Sequence, residues 1–324
     1  MKALIASSLV FVASCVVAAQ QIDIGPPPGR LVDLGGRKLH LHCTGIGSPT
    51  VVLEAGASSF AIDWSLVQPD VARTNRVCSY DRAGMGWSDA RDAVDTPARV
   101  IHDLHALLAA GGERPPYVLV GASLGGMYVR LYQLEFPREV VGLVLVDPAT
   151  EDRQFTMLNG EAVTIASLTA EQLRSTLPAS GSFPVTRRSP QTGEPFNRLP
   201  AALYDVRVKI DQRLIDSFPP SVPAEVVRES SEGQWAGLAR LLESRTDQRA
   251  PIRTTPSIVL TRGEGTKTGL AESHADVARL STNSRHAVVA GAGHEIHLFV
   301  PAAVTRAIQD VVTAAREGGV LVKQ

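Results

Sequence analysis

The run Tyr117-Val118-Leu119-Val120-Gly121-Ala122-Ser123-Leu124-Gly125-Gly126 constrains this chain more than any other stretch. Apolar, β-favouring residues pass through Gly-x-Ser-x-Gly straight into a helical pattern. A strand that turns so sharply into a helix sets the middle residue on a strained corner with its side chain exposed. A Cβ at Gly121 or Gly125 would clash across such a turn. The helix start beneath Ser123 offers backbone N–H groups and a positive dipole end to a developing negative oxygen. Together these point to a nucleophilic serine, against the plainer reading of a tight structural turn.

A strand–helix rhythm surrounds this corner. Residues 31–33 and 38–43 read as a hairpin turned at Gly35-Gly36, and 50–54 as a buried central strand. Residues 96–110 have helical spacing and stop at Gly111-Gly112. Residues 126–136 continue as a helix, followed by Pro137, and 140–146 form another apolar strand. The rhythm resumes with strands at 256–260 and 286–289 and helices at 271–280 and 303–315. This alternation predicts an α/β fold with a mostly parallel sheet and helices on both faces. From about 149 to 250 the pattern shows helices near 169–177, 200–218 and 224–243, a Ser/Pro/Gly/Thr-rich stretch at 178–195, and no convincing strand.

Five blocks resemble the α/β-hydrolase family over about residues 31–312. They are Thr50-Val51-Val52-Leu53-Glu54-Ala55-Gly56-Ala57, the segment from Ser79 through Asp81-Arg82 to Ser88-Asp89, the elbow at Ser123, Val141 to Pro148, and Gly291-Ala292-Gly293-His294 to Pro301. The resemblance implies an eight-stranded, mostly parallel sheet. It implies a core of residues 31–148 and 251–324, with 149–250 inserted as a helical cap that covers the site.

A serine hydroxyl needs an adjacent base. The family's chain order and the distance to the last helix favour His294 over His297. The carboxylate that orients the imidazole usually follows the strand at 256–260. Here that stretch continues Thr261-Arg262-Gly263-Glu264, with no Asp. Asp147, at the end of the preceding core strand, is the favoured acid and Glu264 the alternative. The fold places the oxyanion donors on the backbone N–H groups of Leu124 and Ala57. Asp81 and Arg82 read as loop braces. The other histidines, His40, His42, His102, His105, His274 and His286, carry no motif and read as structural or solvated.

A serine at the elbow disfavours the epoxide-opening and carbon–halogen chemistries that use an aspartate there. The expected activity is cleavage of carboxylic esters through an acyl-enzyme. Peptidase, thioesterase, lactonase and acyltransferase activities use the same machinery. A non-catalytic binding protein on this scaffold is the reading from a different class. No cofactor is implied, and His294-Glu295-Ile296-His297 has the wrong spacing for the zinc helix motif.

The chain has 324 residues, 44% hydrophobic, with a net charge of −1. That suits a sizeable core and recommends no nucleic-acid partner. The expected partner is a small-molecule ester; the motifs do not speak to oligomeric state. Arg187-Arg188 reads as a solvated pair. Residues 1–19 read as a targeting segment, with Lys2, an apolar stretch and Val17-Ala18-Ala19 before Gln20. Cleavage would give an exported protein. Val12-Ala13-Ser14-Cys15 competes as a lipobox that would lipidate Cys15 and tether the protein to a membrane, and an uncleaved anchor is the third reading. Residues 20–30, with Pro26-Pro27-Pro28-Gly29, read as a linker. Export would put Cys43 and Cys78 in an oxidising compartment. The family's fold makes their strands neighbours, so a cross-link competes with two buried thiols.

Overall fold

Eight strands form one sheet because most of them are apolar on both sides, which only a sheet covered on both faces can bury. In chain order they are β1 (Arg30–Asp33), β2 (Lys38–Thr44), β3 (Thr50–Glu54), β4 (Val77–Tyr80), β5 (Tyr117–Ala122), β6 (Val140–Val146), β7 (Ser257–Arg262) and β8 (Ser284–Val289). The computed structural model describes residues 22–90 and 93–321. The targeting segment and Cys15 lie outside the described residues.

The spatial order is β1-β2-β4-β3-β5-β6-β7-β8. β2 pairs antiparallel with β1 and β4, and the other pairings are parallel. Alternate residues of each central strand serve two cores. Leu119, Leu143 and Val259 join Leu104, Leu108, Met127 and Leu131 on one face. Val118, Val120, Val144, Ile258 and Leu260 join Trp64, Val304, Ile308 and Val311 on the other. The flanking helices are those read from periodicity: Pro97–Ala110, capped by Thr96, Leu124–Glu135, Leu270–Ala278 and Pro301–Glu317. Among the described residues no helix is long and apolar enough to cross a membrane.

Between β6 and β7 the structure departs from expectation. The helices Ala170–Thr176, Ala201–Ser217 and Ala224–Ser244 are present. So are two short antiparallel ribbons, Phe155–Leu158 with Glu161–Thr164 and Ser182–Pro184 with Ser221–Pro223. The first turns at Asn159-Gly160, both with positive φ, a hairpin signal present in the sequence. Its strands are four residues each and contain no buried residue, so they carry little of the hydrophobic signal that marks a core strand. The second carries a proline in each strand. Nor is Arg188 simply solvated: it pairs with the buried Asp211. The segment read as a linker is partly seated on the core, where Ile24 is buried and Gly25 accepts from Trp87 Nε1 at 3.0 Å.

Buried ion pairs tie the insertion to the core. Glu151 takes Arg130 Nη1 at 2.7 Å and Arg245 Nε at 2.5 Å. Burial alone would raise its carboxyl, but the two guanidiniums hold it down at about 2. Arg207, fully buried on Ala201–Ser217, donates to Asp63 at 2.9 Å and stacks 3.5 Å from the Phe196 ring centroid.

Cys43 and Cys78 face each other across β2 and β4 and are joined as a disulfide, 35 residues apart in sequence. Closing such a loop restricts the unfolded chain and contributes about 3–4 kcal/mol. Cys43→Ser with Cys78→Ser should lower unfolding stability by that order in urea titration. Neither thiol should be alkylated in native or denatured protein until reductant is added.

Candidate active site

The site sits at the C-terminal ends of β5, β6 and β7, where an open parallel sheet leaves room above its strand ends. Ser123 follows β5 with φ 52° and ψ −120°, a conformation that L-residues rarely adopt. Its neighbours force the corner. A Cβ on Gly121 would lie 2.4 Å from the Gly125 carbonyl oxygen, and one on Gly125 would lie 2.6 Å from that of Glu54. The corner is tied to the next strand, since Ser123 N–H donates to Val146 O at 3.0 Å and Ala149 N–H to Ser123 O at 2.8 Å.

Asp147 ends β6 and also has positive φ, 45°. Its side chain is fully buried. His294 comes from the loop after β8. Its Nε2 lies 2.9 Å from Ser123 Oγ and its Nδ1 lies 2.6 Å from Asp147 Oδ2. An imidazole held between a hydroxyl and a carboxylate can take the hydroxyl proton while the carboxylate stabilises the cation that results. The sequence-derived Ser123, His294 and Asp147 are therefore brought together. Glu264 is exposed, its backbone N–H bonded to Ala292 O at 3.0 Å, and its carboxylate has no partner among the described residues. His297 is buried against Trp64, ring centroids 4.6 Å apart, and burial pushes its imidazole down to about 3.

Leu124 follows the serine directly, and Ala57 follows Gly56 in the turn beside it. Leu124 opens the elbow helix. Gly56 lies so close that a Cβ on it would meet Ser123 Cβ at 3.3 Å. Arg82 fixes the shape of this turn: it donates to the carbonyls of Ala55 at 2.7 Å, Gly56 at 2.5 Å and Ala57 at 3.2 Å, and to Glu54 at 2.5 Å. Asp81 accepts from Ala61 N–H at 2.8 Å and lies 2.7 Å from His40 Nδ1. Both residues act as the braces that the sequence suggested.

Two contributors, Arg262 and Thr261, were not read from sequence. Arg262 Nε donates to Asp147 Oδ2 at 2.7 Å and its backbone N–H to Oδ1 at 3.0 Å. Thr261 Oγ1 bridges His274 Nδ1 at 2.7 Å and His286 Nε2 at 2.8 Å. His274 Nε2 meets the Pro148 carbonyl at 2.9 Å, which can only accept, so the proton lies on Nε2 and Thr261 donates to Nδ1. This chain props the turn after Asp147. Its one sequence signal was polar residues on an otherwise apolar strand. Among the described residues, the cluster with metal-like spacing is Cys43, Cys78 and Glu113, and the disulfide consumes its sulfurs.

Burial alone would raise the Asp147 carboxyl, but the bonds from His294 and Arg262 outweigh it and hold it below the usual carboxylate range. A depressed carboxylate lends stability that is present above its unfolded value and lost as pH falls through the folded one. Asp147→Asn should therefore lose less stability than wild type between neutral pH and about pH 3, measured by urea titration at each pH.

The chain matches the profile of the alpha/beta hydrolase family over residues 39–307. It is 32% identical over 121 residues to the Bacillus subtilis protein YqjL, covering 37% of this chain and 48% of that one. It is 31% identical over 129 residues to 2-hydroxymuconate semialdehyde hydrolase of Pseudomonas sp. strain CF600, covering 38% and 44%. The chain thus spans under half the length of these curated relatives. A thermophilic esterase from Thermogutta terrifontis superposes with a TM-score of 0.58 at 22% identity, covering 88% of this chain and 98% of that structure.

Proposed function

Because the chain belongs to the alpha/beta hydrolase family, we propose that it is an exported serine hydrolase cleaving small to medium carboxylic esters through an acyl-enzyme. One observation carries the reading: the unbroken hydrogen-bond chain from Ser123 Oγ through His294 to Asp147. Ser123 Oγ attacks the ester carbonyl as His294 Nε2 takes its proton. Asp147 holds the imidazole in the tautomer with Nδ1–H and stabilises its cation. The N–H groups of Leu124 and Ala57 receive the oxyanion. His294 then protonates the departing alkoxide, and a water repeats the sequence to free the acid.

The apolar residues of the insertion support an ester with a modest acyl or alkyl group. Leu214 and Ile210 are buried with Phe60, which follows close after the oxyanion turn, and with Met85. Export draws support from the targeting segment and from the Cys43–Cys78 disulfide, which belongs in an oxidising compartment. Membrane contact would come only through a lipid on Cys15.

Ser123→Ala and His294→Ala should each lower kcat by several orders of magnitude, because triad members act as a unit. Asp147→Asn should cost on the order of 10⁴, as an amide favours the wrong tautomer. Glu264→Gln should be near wild type. A folded Ser123→Ala protein with normal activity would sink the reading, and a crippled Glu264→Gln would move the acid. Fluorophosphonate labelling of Ser123 separates an enzyme from a binding protein on the same scaffold.

Turnover should be higher on p-nitrophenyl acetate or butyrate than on emulsified long-chain triglyceride, with no jump in rate at the oil–water interface. An interfacial jump in a triglyceride emulsion assay would make the insertion a lipase lid and the substrate assignment wrong.

A further inference from the structure

Arg262 stands at the end of β7, close to where the family's acid most often lies. Its guanidinium turns onto the relocated carboxylate. Nε donates to Asp147 Oδ2 at 2.7 Å, and Nη2 lies 2.5 Å from the same oxygen. That Nη2 also lies 2.8 Å from His294 Nδ1. We propose that Arg262 is a positioning residue for Asp147, acting on catalysis only through that carboxylate. The proposal rests on the triad reading above.

A guanidinium has five N–H donors and no acceptor. Arg262 Nη2 and a protonated Nδ1 therefore cannot bond each other. With Asp147 ionised and in place, both donate to Oδ2, and Arg262 locks that oxygen against rotation away from the imidazole. The backbone N–H of Arg262 holds Oδ1, but this single bond leaves the carboxylate free to swing about it. If the carboxylate is removed, the roles reverse. Arg262 becomes the donor facing Nδ1. It then favours a lone pair there, moving the proton to Nε2, and that tautomer cannot accept from Ser123. Arg262 thus assists the reaction with Asp147 and opposes it without.

A double-mutant cycle with a soluble p-nitrophenyl ester tests this. In the Asp147 background, Arg262→Met should lower kcat on the order of 10- to 100-fold, the usual size of an orienting partner's contribution, and leave KM unchanged. In the Asp147→Asn background, the same substitution should leave kcat unchanged or raise it. Arg262→Lys keeps the charge without the fork. It should fall between wild type and Arg262→Met. If Arg262→Met unfolds in a thermal melt, Arg262→Lys carries the same comparison. An equal loss in both backgrounds, with Asp147→Asn itself crippled, overturns the proposal and leaves the triad standing. A fully active Asp147→Asn overturns both.

Discussion

The whole arrangement depends on one backbone corner. Ser123 has a left-handed φ of 52°, and a non-glycine residue there costs on the order of 1–3 kcal/mol unless its surroundings hold it. They do so from three directions. Gly121 and Gly125 approach each other where no side chain fits. Val146 O and Ala149 N–H bond the serine's own backbone. Pro148 lies against Gly126, where a Cβ would come within 2.5 Å of it. The strain is thus held by the strand that also carries Asp147. The corner and Asp147 are parts of one rigid unit, and β6 cannot shift without moving both.

That coupling accounts for the environment of the acid. A carboxylate at the end of β6 is fully buried and sits on a residue whose own φ is left-handed. An ionised group there needs compensation, since burial without partners would drive it neutral. A neutral carboxyl would orient the imidazole poorly. The donors come from β7, by backbone and side chain, and from His294. Asp147 N–H in turn bonds Leu260 O at 2.7 Å, so the two strand ends hold each other.

What was legible in the sequence follows from range. The elbow, the helices and the central strands are local patterns, written in glycine spacing and hydrophobic period, and Ser123 came with them; His294 came from the resemblance to the family's chain order. Asp147 was legible only in part, as a carboxylate at a strand end chosen because the usual place lacked an aspartate. Its pairing with Arg262 spans 115 residues, and that of Arg207 with Asp63 spans 144, and no local pattern encodes either. Arg262 did leave a trace, since a cation stands where a carboxylate was expected. The Asn159-Gly160 turn is a local hairpin signal, but the four-residue strands on either side of it carry too little hydrophobic pattern to read as a sheet.

The insertion and the reaction centre share a mechanical link that bears on substrate access. Phe60 to Trp64 follow directly on the oxyanion turn, and Asp63 in that stretch bonds Arg207 of the insertion helix Ala201–Ser217. Both side chains are fully buried, and Asp211 lies 3.7 Å from the same guanidinium. Burial pushes the Asp63 carboxyl up to about 6 even with Arg207 beside it. Separating such a pair strands a buried charge, which costs several kcal/mol. A helix held in this way does not lift freely from the core. Arg82 and Asp81 grip the same turn from the sheet side, through Ala55 to Ala57 and through Ala61. The stretch from Ala55 to Asp63 is therefore held from the sheet side by Arg82 and Asp81 and from the insertion by Arg207. A turn held from both sides in this way supports the small ester proposed above as substrate.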